Sequence, residues 1–275
     1  MNDFKERCTA LRKQGKSIGE IVKITGRAKS SVYLHIKDIP LSEERRAMMR
    51  AAAAARIRKY PIARKGKSLR PHKKFTRWSP DTVMLLGHLL FDGELGRACV
   101  YNNRSDALIA RVERLMKIVY DFPPKHWVNT ETGVRRISYY NVELSLYLQN
   151  KAKELLRSIR QLPGKQKNAL LQAFFDDEGC MDFRPDSGTR KIRGYQKDTK
   201  ILELIHLLLS DFAIDSKIAE PNEVVIVGKE NLKRFEKEIN FSPGVCINGN
   251  RSNSRWKKHF EKRQLLRMAI ESYQR

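Results

Sequence analysis

Two apolar runs constrain this chain more than any other feature in it. The first reads LLGHLLFDGEL, Leu85 to Leu95, and the second LLQAFFDDEG, Leu170 to Gly179. Each ends in acid followed by glycine. A glycine just past the last periodic residue marks a helix C-terminus, so Asp92 and Glu178 are expected at the ends of two apolar helices. Such an end already carries partial negative charge, and a carboxylate there costs stability. The second run crowds Asp176, Asp177 and Glu178 into that position. A rule broken twice, in matching places, points to function.

The runs also match each other. Aligning Gly93 with Gly179 sets Asp92 on Glu178, Phe91 on Asp177 and Gly87 on Ala173. Small residues let helix backbones approach closely, so contact at Gly87 and Ala173 would leave both acids side by side. Adjacent carboxylates repel unless a cation lies between them. Hard cations such as Mg²⁺ take oxygen ligands of this kind. His88, inside the first run, reads as a packed, hydrogen-bonded core residue with no catalytic role.

At these residues the chain resembles the LAGLIDADG homing endonuclease family in its two-motif, single-chain form. The resemblance spans roughly Pro80 to Phe241 and continues through GYQKDTKILELIHLLLSDFAIDSKI and VVIVGKENLKRFEKEINF. It implies two pseudo-symmetric repeats of helices on antiparallel sheets, saddle-shaped and laid along double-stranded DNA. Gly87 and Ala173 match the motif's first glycine at the helix–helix interface. Asp92 and Glu178 match its metal-binding acid, with Mg²⁺ or Mn²⁺ as cofactor. Lys197 is the candidate to polarise the attacking water, and Lys191 and Arg193 the candidates to meet phosphates. One departure stands out: only about ten residues separate Gly93 from a helix expected at Arg104, leaving almost no room for a long first hairpin.

Charge supports a polyanionic partner. Formal net charge is +24, with a pI near 10.0. Through Trp78 there are 22 Lys and Arg against 6 Asp and Glu, a far denser excess than in the rest of the chain. That asymmetry predicts a separate basic front module. Ser17 and Glu20 form a capping-box pattern, Gly26 breaks the chain, and Lys29 to Lys37 begins a third helix. GKSIGEIVKITGRAKSSVYLHIKD is similar to the helix-turn-helix of resolvase-type regulators. The resemblance implies that Lys29, Ser30, Ser31, Tyr33, His35 and Lys37 face DNA. Ser42 is expected to cap a fourth, alanine-rich helix. PIARKGKSLRPHKKFTRW then reads as a flexible basic linker.

The expected fold class is α+β: an all-α helix-turn-helix over 1–45, an alanine-rich helix and linker over 46–78, repeats over 79–162 and 163–245, and a basic C-terminal helix over 246–275. Strands are expected near Arg97 to Tyr101, His126 to Asn129, Arg135 to Glu143, Met181 to Arg184, Thr189 to Lys197 and Val224 to Val227. The four scattered cysteines read as buried free thiols of a cytoplasmic protein. No signal peptide, membrane span or zinc site is expected, and internal pseudo-symmetry suggests a monomer. Two functions remain open: a metal-dependent, site-specific DNA endonuclease associated with intron or intein mobility, and a non-cleaving DNA-binding transcriptional regulator on the same scaffold. An RNA-processing role is a third, weaker option.

Overall fold

The computed structural model describes residues 2–58, 70–248, 255–257 and 259–274. The chain divides into two compact units, Met1–Leu69 and Arg70–Arg275.

The first unit is helical. α1 (Asn2–Lys13), α2 (Ile18–Thr25) and α3 (Lys29–Ile36) close around Cys8, Ile21, Val32 and Ile36, with Phe4, Leu11, Ile18 and Val22 at the margin. The Ser17–Glu20 capping box forms as read from the sequence, and Gly26 ends α2 in the left-handed region that glycine favours (φ 66°). Ser42 Oγ accepts from the Arg45 N–H as α4 (Glu43–Arg58) begins. Lys29, Ser30, Ser31, Tyr33 and Lys37 are exposed on α3 and its C-terminal cap, whereas His35 is half-buried, edge-on to Phe4.

The second unit repeats one plan twice. α5 (Pro80–Phe91) leads into β1 (Gly93–Leu95) and β2 (Cys99–Asn103); α6 (Asp106–Met116) follows, then β3 (Lys125–Val128), β4 (Arg135–Tyr139) and α7 (Val142–Ser158). The second copy runs α8 (Gly164–Asp177), β5 (Gly179–Arg184), β6 (Thr189–Tyr195), α9 (Thr199–Ser210), β7 (Lys217–Ala219), β8 (Glu223–Val227) and α10 (Lys229–Glu238). Both sheets are antiparallel and share one order, β1-β2-β4-β3 and β5-β6-β8-β7. Ser79 opens α5 with a capping box and a proline in the first turn, and Asp198 caps α9. α5 is apolar along most of its length and α8 is largely buried from Ala169 onward, where the two helices pack in the core.

α5 and α8 cross at Gly87 and Ala173. A Cβ on Gly87 would lie 2.7 Å from the Ala173 Cβ and 3.3 Å from Leu170 Cδ1, so the helices touch almost backbone to backbone. On one side of the crossing Phe91 meets Phe174 edge-on, centroids 5.1 Å apart. On the other His88 Nδ1 lies 2.9 Å from Asp177 Oδ2. These pairs occupy equivalent positions of the two motifs, since His88 aligns with Phe174 and Phe91 with Asp177.

Several expectations need correction. Strands β1 and β7 are additional to those expected, and Glu143 belongs to α7 rather than to the preceding strand. The motif glycines do not end their helices by a left-handed turn; Asp92 (φ −112°) and Glu178 (φ −102°) are the caps themselves. Gly93 and Gly179 start strands, and their missing Cβ avoids the last helical turn: a Cβ on Gly179 would lie 2.5 Å from the Phe175 carbonyl oxygen. The basic stretch expected as a flexible linker is not a free tether over its described part: residues 61–69 lie outside the described residues, and residues 70–78 pack on the first repeat. There the Phe75 N–H donates to Tyr147 Oη at 2.8 Å, Asn141 donates to the Arg70 carbonyl at 2.8 Å, and Phe75 and Trp78 line the core. Among the described residues of the C-terminal segment, α11 (Lys262–Glu271) and a final short turn are helical; residues 249–254, 258 and 275 lie outside the described residues. It packs rather than projects: Leu265, Leu266 and Ala269 are buried, and Trp256 stacks on Phe183. Of the four free cysteines, Cys8 and Cys99 are buried, but Cys180 is half-buried and Cys246 exposed. Among the described residues no helix is long and apolar enough to cross a membrane.

The crossing sets a stability test. Gly87→Val places branched carbon where Ala173 already sits, and overpacking of this kind costs about 1–3 kcal/mol. Urea denaturation should show a lowered midpoint; an unchanged midpoint would mean that the helices separate freely here.

Candidate active site

Close approach of α5 and α8 brings their C-terminal ends together. Asp92 and Glu178 cap the two helices, each half-buried. The other acids of the second motif are committed elsewhere. Asp176 accepts from the Ser242 N–H (2.8 Å), the Ser242 hydroxyl and Arg111 Nη1 (3.0 Å). Asp177 is enclosed, bonded to His88 and accepting from the Tyr101 hydroxyl at 2.7 Å. Asn103 joins the motifs: its Nδ2 donates to Asp92 Oδ2 at 2.6 Å and lies 3.3 Å from Tyr101 Oη. A polar chain thus runs from Asp92 through Asn103 and Tyr101 to Asp177 and His88. Glu178 differs, its carboxylate having no hydrogen-bond or ion-pair partner among the described residues.

Burial pushes the Asp92 carboxyl up to about 7, helped by the charges of Asp177 and Glu178 and opposed by Asn103 and Lys262. Burial likewise raises Glu178 to about 7, with Asp177 adding and Lys262 opposing. Lys262 is the cation whose charge acts on both. It is buried, and its Nζ donates to the carbonyls of Asp176 (2.6 Å) and Phe175 (3.2 Å) in the last turn of α8. Burial lowers its own pKa, against the pull of Asp176, Cys180, Asp177 and Asp92.

The structure sets Gly87 against Ala173 and places Asp92 and Glu178 at the C-terminal caps of the two helices that cross there. Lys197 is exposed beyond the end of β6, with no polar contact among the described residues. Lys191 Nζ lies 3.9 Å from Asp182, and Arg193 is engaged in a two-point ion pair with Glu223. Sequence reasoning missed Tyr101, Asn103, Arg111, Ser242 and Lys262. The only signal for them was the surplus of acids, which required buried partners without naming them.

Among the described residues no group of three or more His, Cys, Asp or Glu side chains is arranged to hold a metal ion. Mg²⁺ does not require such a cage, since it keeps several waters and takes one or two carboxylates with substrate phosphate oxygens. Asp92 and Glu178, half-buried carboxylates at the ends of two helices that cross closely, fit that donor set.

Residues 165–240 match the LAGLIDADG-like domain family. No curated protein matches the chain. Among solved structures, mesophilic variants of the homing endonuclease I-DmoI are 18% identical, with a TM-score of 0.47 over 60% of this chain and 95% of that one. The N-terminal LAGLIDADG domain of DUF199/WhiA is 20% identical, with a TM-score of 0.46 over 62% of this chain and 88% of that one. Full-length DUF199/WhiA from Thermatoga maritima is 18% identical, with a TM-score of 0.44 over 62% of this chain and 60% of that one.

The raised carboxyls imply a pH dependence of definite sign. Their ordinary values are 3.8 and 4.5, and both sit near 7 in the folded protein. The folded state thus holds these protons more tightly, so their contribution to stability is complete below about pH 4 and is lost as pH rises through about 7. In chelator-treated protein, Asp92→Asn and Glu178→Gln should each flatten this decline and raise Tm at pH 8, by roughly 2–4 °C per kcal/mol of repulsion removed. Melting curves across pH 4 to 9 measure it; variants that keep the wild-type slope would show that these two groups are not its source.

Proposed function

We propose that the chain is a DNA-binding protein of LAGLIDADG type in which Asp92 and Glu178 jointly hold Mg²⁺ or Mn²⁺ for phosphodiester hydrolysis in duplex DNA. One observation carries the reading: two helix-end carboxylates converge where both are driven to about 7, and one of them lacks any partner among the described residues. Stability alone would not maintain that arrangement. The LAGLIDADG-like match over the second repeat supports it.

A divalent cation bound there supplies Lewis-acid activation of water and neutralises charge on the phosphoryl oxygens. This chain's residues do the positioning. Asn103 fixes one Asp92 oxygen and leaves the other for a ligand. Tyr101 and His88 keep Asp177 out of competition. The sheet faces turned away from the core offer cations and an aromatic side chain to a phosphate backbone: Lys125, Trp127 and Arg136 on the first, Arg184 and Lys191 on the second. In the front unit, exposed Lys29, Ser30, Ser31, Tyr33 and Lys37 make α3 the groove-reading helix.

The regulator reading retains one specific support. β1 spans only Gly93–Leu95 where its counterpart β5 spans Gly179–Arg184, so the first sheet offers DNA a much shorter hairpin.

Supercoiled-plasmid cleavage on a selected target separates the two. Wild-type protein should cut with Mg²⁺ or Mn²⁺, while Asp92→Asn and Glu178→Gln should lose cleavage and keep their gel shifts. Binding of a selected target without cleavage in any divalent metal would leave the regulator. Removing residues 1–69, which deletes most of the densest charge, should also shallow the salt dependence of DNA affinity, by about 0.9 in log–log slope for every phosphate that is no longer neutralised. Equal slopes would assign phosphate neutralisation to the second unit.

A further inference from the structure

α11 lies outside the region matching the LAGLIDADG-like domain, yet it delivers a charged side chain to the acid centre. Lys262 is the first residue of this helix and is fixed from several directions. A capping box formed by Glu261 and Gln264 opens α11, the Lys262 N–H donates to the Val245 carbonyl at 2.8 Å, and Leu265 and Leu266 anchor the next turn in the core. The ammonium lies 5.6 Å from the Phe241 ring centroid and donates to the two carbonyls at the end of α8. No carboxylate of the described residues lies within ion-pair distance of it.

Burying an ammonium without a carboxylate against it is costly. A helix C-terminus attracts cations, but a neutral donor or water would satisfy two carbonyls at lower cost. What distinguishes this site is the set of acids around it. Asp92, Asp176, Asp177 and Glu178 gather at this helix end; Arg111 reaches Asp176, His88 reaches Asp177, and Lys262 is the cation whose charge acts on Asp92 and Glu178.

We propose that Lys262 is a positioning residue of the acid centre, tying off the last turn of α8 with a fixed positive charge so that Glu178 can stand unpaired beside Asp92. The outward task of Glu178, sharing a divalent cation with Asp92, rests on the function proposed above; the charge coupling of Lys262 to Glu178 does not.

The test is a double-mutant cycle in the full chain at pH 8 with chelator, read by thermal melting. Lys262→Gln keeps a donor for the two carbonyls and removes the charge; Lys262→Met removes both. Each is measured in the wild-type and Glu178→Gln backgrounds. The Tm loss from Lys262→Gln should shrink by about half or more when Glu178 is already neutral, because interacting residues are non-additive. Equal losses in both backgrounds would overturn the proposal and leave Lys262 a helix cap only. Should Lys262→Met fail to fold, the Lys262→Gln cycle decides alone. Titrating wild type with Ca²⁺ alone, followed by melting, separates the two readings. Coupling without a Ca²⁺ shift would retain the role of Lys262 and remove the metal assignment; a Ca²⁺ shift without coupling would do the reverse.

Discussion

The crossing of α5 and α8 governs the rest of the second unit. Gly87 and Ala173 bring two helix backbones to a separation that larger side chains forbid. From that approach follow the juxtaposed acids and the shared core beneath the two sheets. Each acid opposes the dipole of the helix that carries it, and proximity makes the opposition worse. The surroundings absorb that conflict unevenly. Asp92 is held by Asn103, Asp176 and Asp177 are enclosed in hydrogen bonds, and Glu178 is left with the field of Lys262.

Much of this is legible in the sequence because it is local or internally repeated. The capping residues Ser17, Ser42, Ser79 and Asp198 announce their helices by chemistry confined to one turn. The in-register motifs indicate the crossing residues and the outward acids. The two shortest edge strands are not legible. β1 and β7 are three residues each, too few for an alternation to be seen, and their partners lie on other strands. The partners of the acids escape for a related reason. Arg111, Ser242 and Lys262 reach the end of α8 from 65, 66 and 86 residues away, and no periodicity encodes such a meeting. Residues 70–78 have the composition of a tether, whereas Phe75 and Trp78 find apolar surface that only the folded first repeat provides.

The repeats are alike in plan and unlike in what they present. The second carries the longer hairpin, with its outward cations partly balanced by Asp182 and Glu223. The first carries exposed Trp127 on a strand open along one edge. A duplex lying across both sheets would meet a short, aromatic half and a longer, charge-patterned half.

The two pairs flanking the crossing decide which helix can lie against which. Were two first motifs to pair in the same way, Phe91 would meet His88 twice, and two buried imidazoles would be left without a carboxylate. Were two second motifs to pair, Asp177 would meet Phe174 twice, sealing carboxylates against aromatic carbon with nothing to accept from. Only the mixed pairing joins ring to ring and imidazole to carboxylate. Burying an unmatched charge is far more expensive than exchanging one apolar neighbour for another. The interface therefore recognises its own other half, and exchange of repeats between neighbouring chains is open only where a first motif still meets a second.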